Sequence, residues 1–351
     1  MARPLAISSH DFAAPGSTSI ARAPSPLQRG WNTAFQCLCR AFAWASALLV
    51  SAIVIEIVVQ AAPALRQRGL SFLTGTTWDP NRDVYAILPE IWGTLYSSVT
   101  ALIIGLSFGV AAAIFLSEGF LGHGVFRLLK ALKLQHKPFW CTLPEHADQV
   151  LRNLIELLAA IPSVVYGLWG IFVVIPAIRP LCNWLHEQLG FIALFSTPLS
   201  GPGMLPAVIV LSVMILPTIT ALSRDALVSV PHKLRMAAYG MGATRLEAIV
   251  AVALPTAGRG IFGAVVIAFG RALGETMALA MLVGNANRIS LSLFSPANTL
   301  SALLANSFPE AGPAQVPVLM FAALVLLAIT LLVNVAGSAL LLRASRAGGA
   351  R

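Results

Sequence analysis

Charged residues are scarce in this sequence. Aspartate, glutamate, lysine and arginine make up 11% of its 351 residues, whereas 57% are hydrophobic, and the mean hydropathy is +0.81. An ordinary soluble domain has about a quarter of its residues charged, so this composition excludes that class. The sequence indicates an integral membrane protein.

Cysteine, metal-binding and nucleotide-binding motifs are also missing or sparse. The four cysteines show no spacing typical of a zinc site or a disulfide framework, so no metal or cofactor is expected. No GxxxxGK[ST] loop is present, which predicts that the chain does not hydrolyse ATP itself. None of the six histidines lies in a predicted span, which argues against an intramembrane enzyme. The basic residues, with a net charge of +9, form no aromatic-interleaved patch, so nucleic acid is not an expected partner.

Long apolar runs are abundant. A spanning helix needs about 20 apolar residues, and six runs meet this length. Because nothing in lipid can satisfy an open strand, each must be a helix. The sequence therefore predicts an all-α membrane protein with spans at roughly 42–62, 94–118, 151–177, 204–223, 260–283 and 316–342.

The gaps between the runs alternate in charge. Basic residues are concentrated in the N-terminal tail, the second gap, the fourth gap and the C-terminal tail. By the positive-inside rule, both termini are predicted to be cytoplasmic. An even number of spans requires both ends to lie on the same side of the membrane, which agrees with the charge pattern.

Composition also predicts how the chain divides. Residues 1–40, rich in Ser, Pro and Ala, are expected to form a disordered cytoplasmic tail. Residues 41–93 hold the first span and an external loop, residues 94–342 the core, and residues 343–351 a second cytoplasmic tail. The basic stretch 123–145 fits either an amphipathic helix on the inner leaflet or a solvated loop.

In the fourth gap, proline and glycine residues stand where two short helices joined at a glycine would begin and end. We call this segment, residues 231–255, the elbow. Pro231 can open a helix over 233–239, and Gly242 can end it. A second helix is expected over 244–253, where Pro255 stops it. The small residues around Gly242 would let another surface approach closely.

Within the elbow, MAAYGMGATRLEAIVAVALP resembles the EAA loop of ABC importer permeases. The matching positions include Ala237, Ala238, Gly242, Leu254 and Pro255. The resemblance implies a type I importer permease fold whose coupling loop, 224–258 in this chain, docks in a groove of an ATPase subunit. The first motif position, often glutamate in the family, is Met236 here, which removes a possible salt bridge to the ATPase.

Three other stretches narrow the resemblance. IELLAAIPSVVYGLWG and GRALGETMAL are similar to the membrane subunits of phosphate importers, and TTWDP with ILPEIWGTLYSS resembles their C-type, PstC-like permeases. The resemblance implies phosphate import across the inner (plasma) membrane. It also implies an A-type paralogous permease chain, an ATP-binding cassette ATPase dimer and a periplasmic or extracellular phosphate-binding protein as partners.

An arginine and a glutamate stand inside the fifth apolar run, at Arg271 and Glu275. Their spacing of four predicts that they share a helix face. They could form a structural ion pair, or they could line an anion path. In the second interpretation, arginine matches the oxygens of phosphate, and Glu275 accepts the proton that phosphate carries and sulfate lacks. The resemblance independently places both residues in the phosphate pathway.

Three weaker candidates lie near the start of the third run. Glu156 could pair with a basic residue at the inner mouth of a pathway, or it could be an interfacial carboxylate. Ser163 and Tyr166 could donate to an anion, although polar residues also join helices to one another.

Two other functions remain open. The substrate could be another oxyanion, such as sulfate or molybdate. The chain could instead be a secondary transporter, but no convincing internal repeat is present and the EAA-like loop would then be unexplained.

Overall fold

The chain is helical through most of the part that the structure describes. This computed structural model describes residues 25–119 and 143–348, and side chains within 25–119 and 149–343. Six described helices are long and apolar enough to cross a membrane, which confirms the all-α class and the number of spans. They are Pro26–Arg68, Leu88–Ser117, Ser163–Leu189, Met204–Val228, Arg245–Gly274 and Val316–Arg343. The predicted basic stretch 123–145 lies almost entirely outside the described residues.

The first helix, α1 (Pro26–Arg68), begins earlier than predicted. The amide of Ser25 donates to the Gln28 side chain at 3.0 Å, and the amide of Gln28 donates to the Ser25 hydroxyl at 3.3 Å. This reciprocal cap satisfies amides that have no partner within the helix, so residues 26–40, predicted to belong to a disordered tail, are helical. At about 1.5 Å per residue the helix exceeds the hydrocarbon thickness of a bilayer.

The segment after α1 is packed rather than loose. It contains a single-turn helix, α2 (Ser71–Thr74), and leads into the second span, α3 (Leu88–Ser117). The Arg68 guanidinium lies 4.7 Å from the centre of the Tyr85 ring, and Trp78 meets the same ring edge-on at 4.9 Å. Burial is the main cause that raises the pKa of Tyr85. The turn-rich sequence here therefore folds as a small cap.

The third span begins at Ser163, whereas the sequence predicted 151–177. A separate amphipathic helix, α4 (Leu143–Ala160), ends just before Pro162, whose backbone is extended (φ −59°, ψ 141°). The prediction was wrong because residues 151–160 are apolar only on average, and a proline disfavours helix in the residue before it. The span itself comprises α5 (Ser163–Trp169), a π-helical turn (Gly170–Val174) and α6 (Ile175–Leu189).

The centre of the fold is the close packing of α3 against the fourth span, α7 (Met204–Val228). A Cβ on Gly105 would lie 2.9 Å from Ile215, and a Cβ on Gly109 would lie 2.7 Å from Ile219. These two glycines, four residues apart, form a groove that admits the branched side chains of α7. Small residues at this spacing are a common way to bring membrane helices together.

The elbow is present, but its second helix does not stop where the sequence predicted. The first helix is α8 (His232–Gly240) and the second begins as α9 (Arg245–Ala248). A π-helical turn (Ile249–Ala253) then leads directly into α10 (Leu254–Gly274). Pro255 lacks an amide proton, and the wider π-helical turn accommodates it. Pro255 therefore lies within the fifth span instead of ending a short helix.

The last third of the chain completes the bundle. A short helix, α11 (Met277–Leu282), follows α10, and α12 (Leu300–Ser307) comes after an extended segment. The sixth span is α13 (Val316–Gly348). It packs against α10, where a Cβ on Gly337 would lie 2.6 Å from Val266.

Candidate functional site

The fifth apolar run is interrupted at the residues that the sequence singled out. Helix α10 ends at Gly274, and Glu275 has an extended backbone (φ −66°, ψ 127°). Arg271 and Glu275 therefore do not share one continuous helix, and the prediction of a common face was wrong. A non-helical backbone within a membrane is tolerated where it is buried in protein or lines a cavity.

The local sequence explains the interruption. The Thr276 hydroxyl donates to the Gly274 carbonyl at 3.1 Å, and the Glu275 carboxylate accepts from the Ala278 amide at 3.4 Å. The first contact serves a carbonyl that the ending helix leaves free, and the second serves an amide at the start of α11. Glycine is also a weak helix former. Gly-Glu-Thr thus ends one helix and begins the next.

The two charged side chains at this break are not paired with each other. Arg271 is exposed and Glu275 is half-buried. Among the described residues, no ion pair joins them. Because Arg271 lies in the last turn of α10, its charge complements the negative end of the helix dipole. In the isolated chain the guanidinium is exposed.

Helix α5 is packed against the segment that follows the break. A Cβ on Gly167 would lie 2.6 Å from the Met281 sulfur and 3.5 Å from the Ala278 Cα, so the two helices are in intimate contact. The structure thus brings α5, with Tyr166 and the half-buried Ser163, next to the break.

Tyr166 has a structural contact as well. Its side chain is buried, and its hydroxyl donates to the Leu158 carbonyl at 2.7 Å. That contact crosses the Pro162 interruption and holds the end of α4 against α5. In this conformation the hydroxyl proton is engaged, so Tyr166 can offer an anion its ring edge but not that proton.

Glu156 lies apart from the break. It is exposed on α4, outside the third span in which the sequence predicted it. It lines a separate cavity of about 60 Å³ together with Arg152, Arg224 and Asp225. Glu156 therefore does have basic neighbours, but it does not join Arg271 and Glu275.

A buried polar network supports the break, and the sequence did not reveal it. The Ser301 hydroxyl donates to the Glu275 carbonyl at 2.6 Å and lies 3.3 Å from the Thr299 hydroxyl. The Leu300 amide donates to the Thr94 hydroxyl at 2.9 Å, which ties this segment to α3. The run of Ser, Asn and Thr before α12 was the available clue, since buried polar groups are nearly always hydrogen-bonded.

The network extends to a buried acid. Glu90 is 0% exposed, and its carboxylate accepts from the Asn298 amide at 3.5 Å. A Cβ on the neighbouring Gly93 would lie 1.9 Å from the Asn298 carbonyl oxygen, so only glycine allows this approach. These contacts fix the position of the extended segment, and through Ser301 that of Glu275.

The elbow has the geometry of a docking element. Gly242 adopts φ +89°, a left-handed conformation that glycine takes without strain, and it follows Met241, the C-cap residue of α8. Thr244 and Glu247 form a reciprocal cap that starts α9. Ala238 is buried, whereas Ala237 and Pro255 are exposed and Leu254 is half-buried.

The elbow exposes several large apolar side chains. Met241 is 84% exposed, Leu246 70% and Met236 52%. Isolated apolar residues are common on surfaces, but an apolar cluster around a tight turn is typical of an interaction site.

Comparison with known proteins identifies the family. The model of the family described as "Binding-protein-dependent transport system inner membrane component" matches residues 143–343. The chain belongs to this family. The match includes the break, the elbow and four of the six spans, and it establishes the chain as a membrane-embedded transport component, in agreement with the permease fold expected from the sequence.

The chain is similar over most of its length to proteins with one name. "Phosphate transport system permease protein PstC" of Mesorhizobium japonicum is 36% identical over 322 residues, which cover 90% of this chain and 91% of that protein. The protein of the same name from Haemophilus influenzae is 37% identical, covering 82% of this chain and 85% of that protein. "Probable phosphate transport system permease protein PstC" of Methanocaldococcus jannaschii is 31% identical, covering 79% and 83%.

Proposed function

We propose that this chain is a permease subunit of an ATP-driven importer that moves inorganic phosphate across the inner (plasma) membrane. The observation that carries the proposal is an exposed arginine in the last turn of the fifth span, beside a helix break. The proteins to which this chain is similar are named phosphate permeases. A charged side chain in a span is costly and commonly marks a substrate path.

Arg271 and Glu275 have different roles in this proposal. Arg271 presents a planar fork of donors that matches two oxygens of phosphate. Glu275 accepts a hydrogen bond from the protonated oxygen of phosphate, which sulfate lacks near neutral pH. When the path is empty, the carboxylate balances part of the positive charge of Arg271, so that phosphate is not retained too tightly.

Ser163, Tyr166 and Glu156 have supporting roles. Ser163 stands at the first turn of α5, where its hydroxyl can contact an anion beside the break. Tyr166 holds α5 in place through its hydrogen bond to Leu158. Glu156, with Arg152 and Arg224 around the separate cavity, belongs to the inner mouth of the path.

The partners follow from what this chain has and lacks. Its sequence contains no phosphate-cradling ATPase loop, so we infer an ATP-binding cassette ATPase dimer that docks on the elbow through Ala237, Ala238, Gly242, Leu254 and Pro255. An A-type paralogous permease supplies the other half of the path, and a periplasmic or extracellular binding protein delivers phosphate. Crosslinking of active complexes that yielded only homodimers of this chain would contradict the A-type partner.

Both termini are proposed to be cytoplasmic, since the basic gaps alternate along the sequence. Cys37 is exposed on α1 and should react with an impermeant thiol reagent only from the inside. Cys141 lies outside the described residues and is expected to behave in the same way. Cys182 is buried, so its external reactivity should be low. Labelling of Cys37 or Cys141 from the outside would contradict this orientation.

Uptake into proteoliposomes that contain the whole complex tests the function. We expect uptake of labelled phosphate that requires ATP and persists in an excess of sulfate. Equal competition by sulfate or molybdate would favour another oxyanion as substrate. Uptake driven by an ion gradient without ATP would favour a secondary transporter.

A further inference from the structure

A three-residue charge cluster joins the end of α3 to the elbow. Glu118 is the residue directly after α3, and its side chain is only 7% exposed. One carboxylate oxygen accepts from Arg235 Nη1 at 2.5 Å, and the other accepts from Arg245 Nε at 3.4 Å. Arg235 belongs to α8 and Arg245 begins α9. A single carboxylate therefore contacts both helices of the elbow.

Both arginines also reach backbone carbonyls at helix ends. Arg235 Nη2 donates to the Leu227 carbonyl at 2.9 Å, in the last turn of α7. Arg245 Nη2 donates to the carbonyl of Glu118 itself. The last carbonyls of a helix have no partner within it, and positive charge is favourable there. The cluster thus fastens the ends of α3 and α7 to the elbow.

The elbow is two-sided around this cluster. Arg235 is 16% exposed at its side chain and faces Glu118, whereas Leu234 and Met236 on either side are 44% and 52% exposed. The apolar surface proposed to meet the ATPase and the charged surface that contacts α3 therefore belong to the same short helix. A movement imposed on one surface is carried to the other.

Glu118 links the elbow to a span that is not adjacent to it in the chain. The elbow is continuous with α7 on one side and with α10 on the other. It is far from α3 in sequence, since Glu118 is 117 residues from Arg235 and 127 from Arg245. We propose that Glu118 is a positioning residue through which movement of the docked elbow reaches α3. This inference rests on the proposed function, in which the elbow docks on an ATPase.

The first experiment compares uptake with ATP hydrolysis in the complete complex, reconstituted in proteoliposomes. Glu118→Gln keeps the shape of the side chain but removes the charge that holds both arginines. We expect phosphate moved per ATP hydrolysed to fall by about tenfold, within the usual range of coupling between sites, while ATP hydrolysis continues. An unchanged ratio would overturn the proposal.

Glu247→Gln is the matched control. It is the same substitution on the same elbow, and glutamine also serves in the reciprocal cap with Thr244, so the ratio should be unchanged. A similar loss of coupling in Glu247→Gln would mean that any disturbance of the elbow has this effect, and would overturn the specific role of Glu118.

A second measurement leaves the cluster intact, so it does not depend on whether Glu118→Gln assembles. Spin labels at Ser117 and Tyr239, in a background without native cysteines, report the distance between the end of α3 and the elbow. We expect one distance that is the same with and without ATP, because the two elements move together. A distance that changes during the ATP cycle would overturn the proposal. Wild-type uptake, measured in parallel, tests the proposed function separately.

Discussion

Two groups of arginine and glutamate side chains in the described part of the chain, one at Arg271 and one at Glu118, differ in almost every respect. Arg271 and Glu275 are four residues apart in sequence, yet a helix break separates them and no ion pair joins them among the described residues. Glu118 and Arg235 are 117 residues apart, yet their side chains meet at 2.5 Å with little exposure to solvent.

The difference indicates that the two groups have different roles, one structural and one in binding the substrate. Charges that are buried and satisfied by one another hold elements together, and removing one partner leaves the other uncompensated. An arginine in a span without a carboxylate partner remains able to bind an anion. Substitutions should distinguish a structural group at Glu118 from a substrate group at Arg271.

The largest effect is expected at Arg271. Arg271→Ala should lower phosphate uptake by about 10- to 100-fold or more, because hydrogen bonds to charged groups contribute about 1.5–3 kcal/mol. Arg271→Lys should recover only part of the uptake, since it keeps the charge and loses the planar fork. Assembly of the complex should stay normal in both variants. Uptake of labelled phosphate and co-purification of the ATPase provide the two measurements.

The next effect is expected at Gly242, which lies between the two arginines of the structural group. Gly242→Trp should leave the chain inserted but separate ATP hydrolysis from uptake, because a bulky side chain obstructs docking. Gly242→Ala is the control, since it introduces the same left-handed strain, about 1–2 kcal/mol, without the bulk. Normal uptake by Gly242→Trp would show that no partner approaches this turn closely.

A smaller effect, on selectivity, is expected at Glu275. Glu275→Gln removes the negative charge from the break while its amide oxygen can still accept from the Ala278 amide. Sulfate should then compete several-fold better with phosphate in an uptake assay. If sulfate remained excluded, the carboxylate would not be the group that distinguishes a protonated anion from an unprotonated one.

The smallest effect is expected at Tyr166. Tyr166→Phe removes the hydrogen bond to the Leu158 carbonyl, which should lower stability by about 0.5–1.5 kcal/mol and reduce uptake by less than about tenfold. Thermal unfolding of the complex and uptake should be measured together. A loss of uptake as large as that of Arg271→Ala would show that Tyr166 acts on the substrate and does not only hold α5 in place.

Several features could be predicted because they depend on composition and local pattern. Apolar runs of sufficient length gave six spans, and Gly242 in the left-handed region is where the sequence expected α8 to end. The predicted bounds of the third span were wrong because the stretch that holds Arg152 and Glu156 is apolar only on average. The prediction that Pro255 ends a short helix was wrong because a π-helical turn accommodates a proline that an ordinary helix interior would not.

The contacts around the two charged groups could not be predicted from pattern alone. The break at Glu275 depends on hydrogen bonds from Thr276 and Ser301, and the second of these comes from 26 residues away. No local pattern marks Glu118, because its partners are brought to it only by the packing of α3 on α7. Spacing along a helix therefore suggested that Arg271 and Glu275 form a pair, which the fold separates. It did not indicate the pair of Glu118 and Arg235, which the fold brings together.

A double-mutant cycle on Arg271→Ala and Glu275→Gln, scored for both assembly and phosphate uptake, tests the central claim most directly. If Arg271 serves the substrate, assembly stays intact in all three variants, and uptake lost in Arg271→Ala is still lost in the double variant. If the two residues form a structural pair, each single substitution weakens assembly by leaving one charge uncompensated. In that case the double variant recovers both assembly and uptake, a result that would contradict the proposed phosphate pathway.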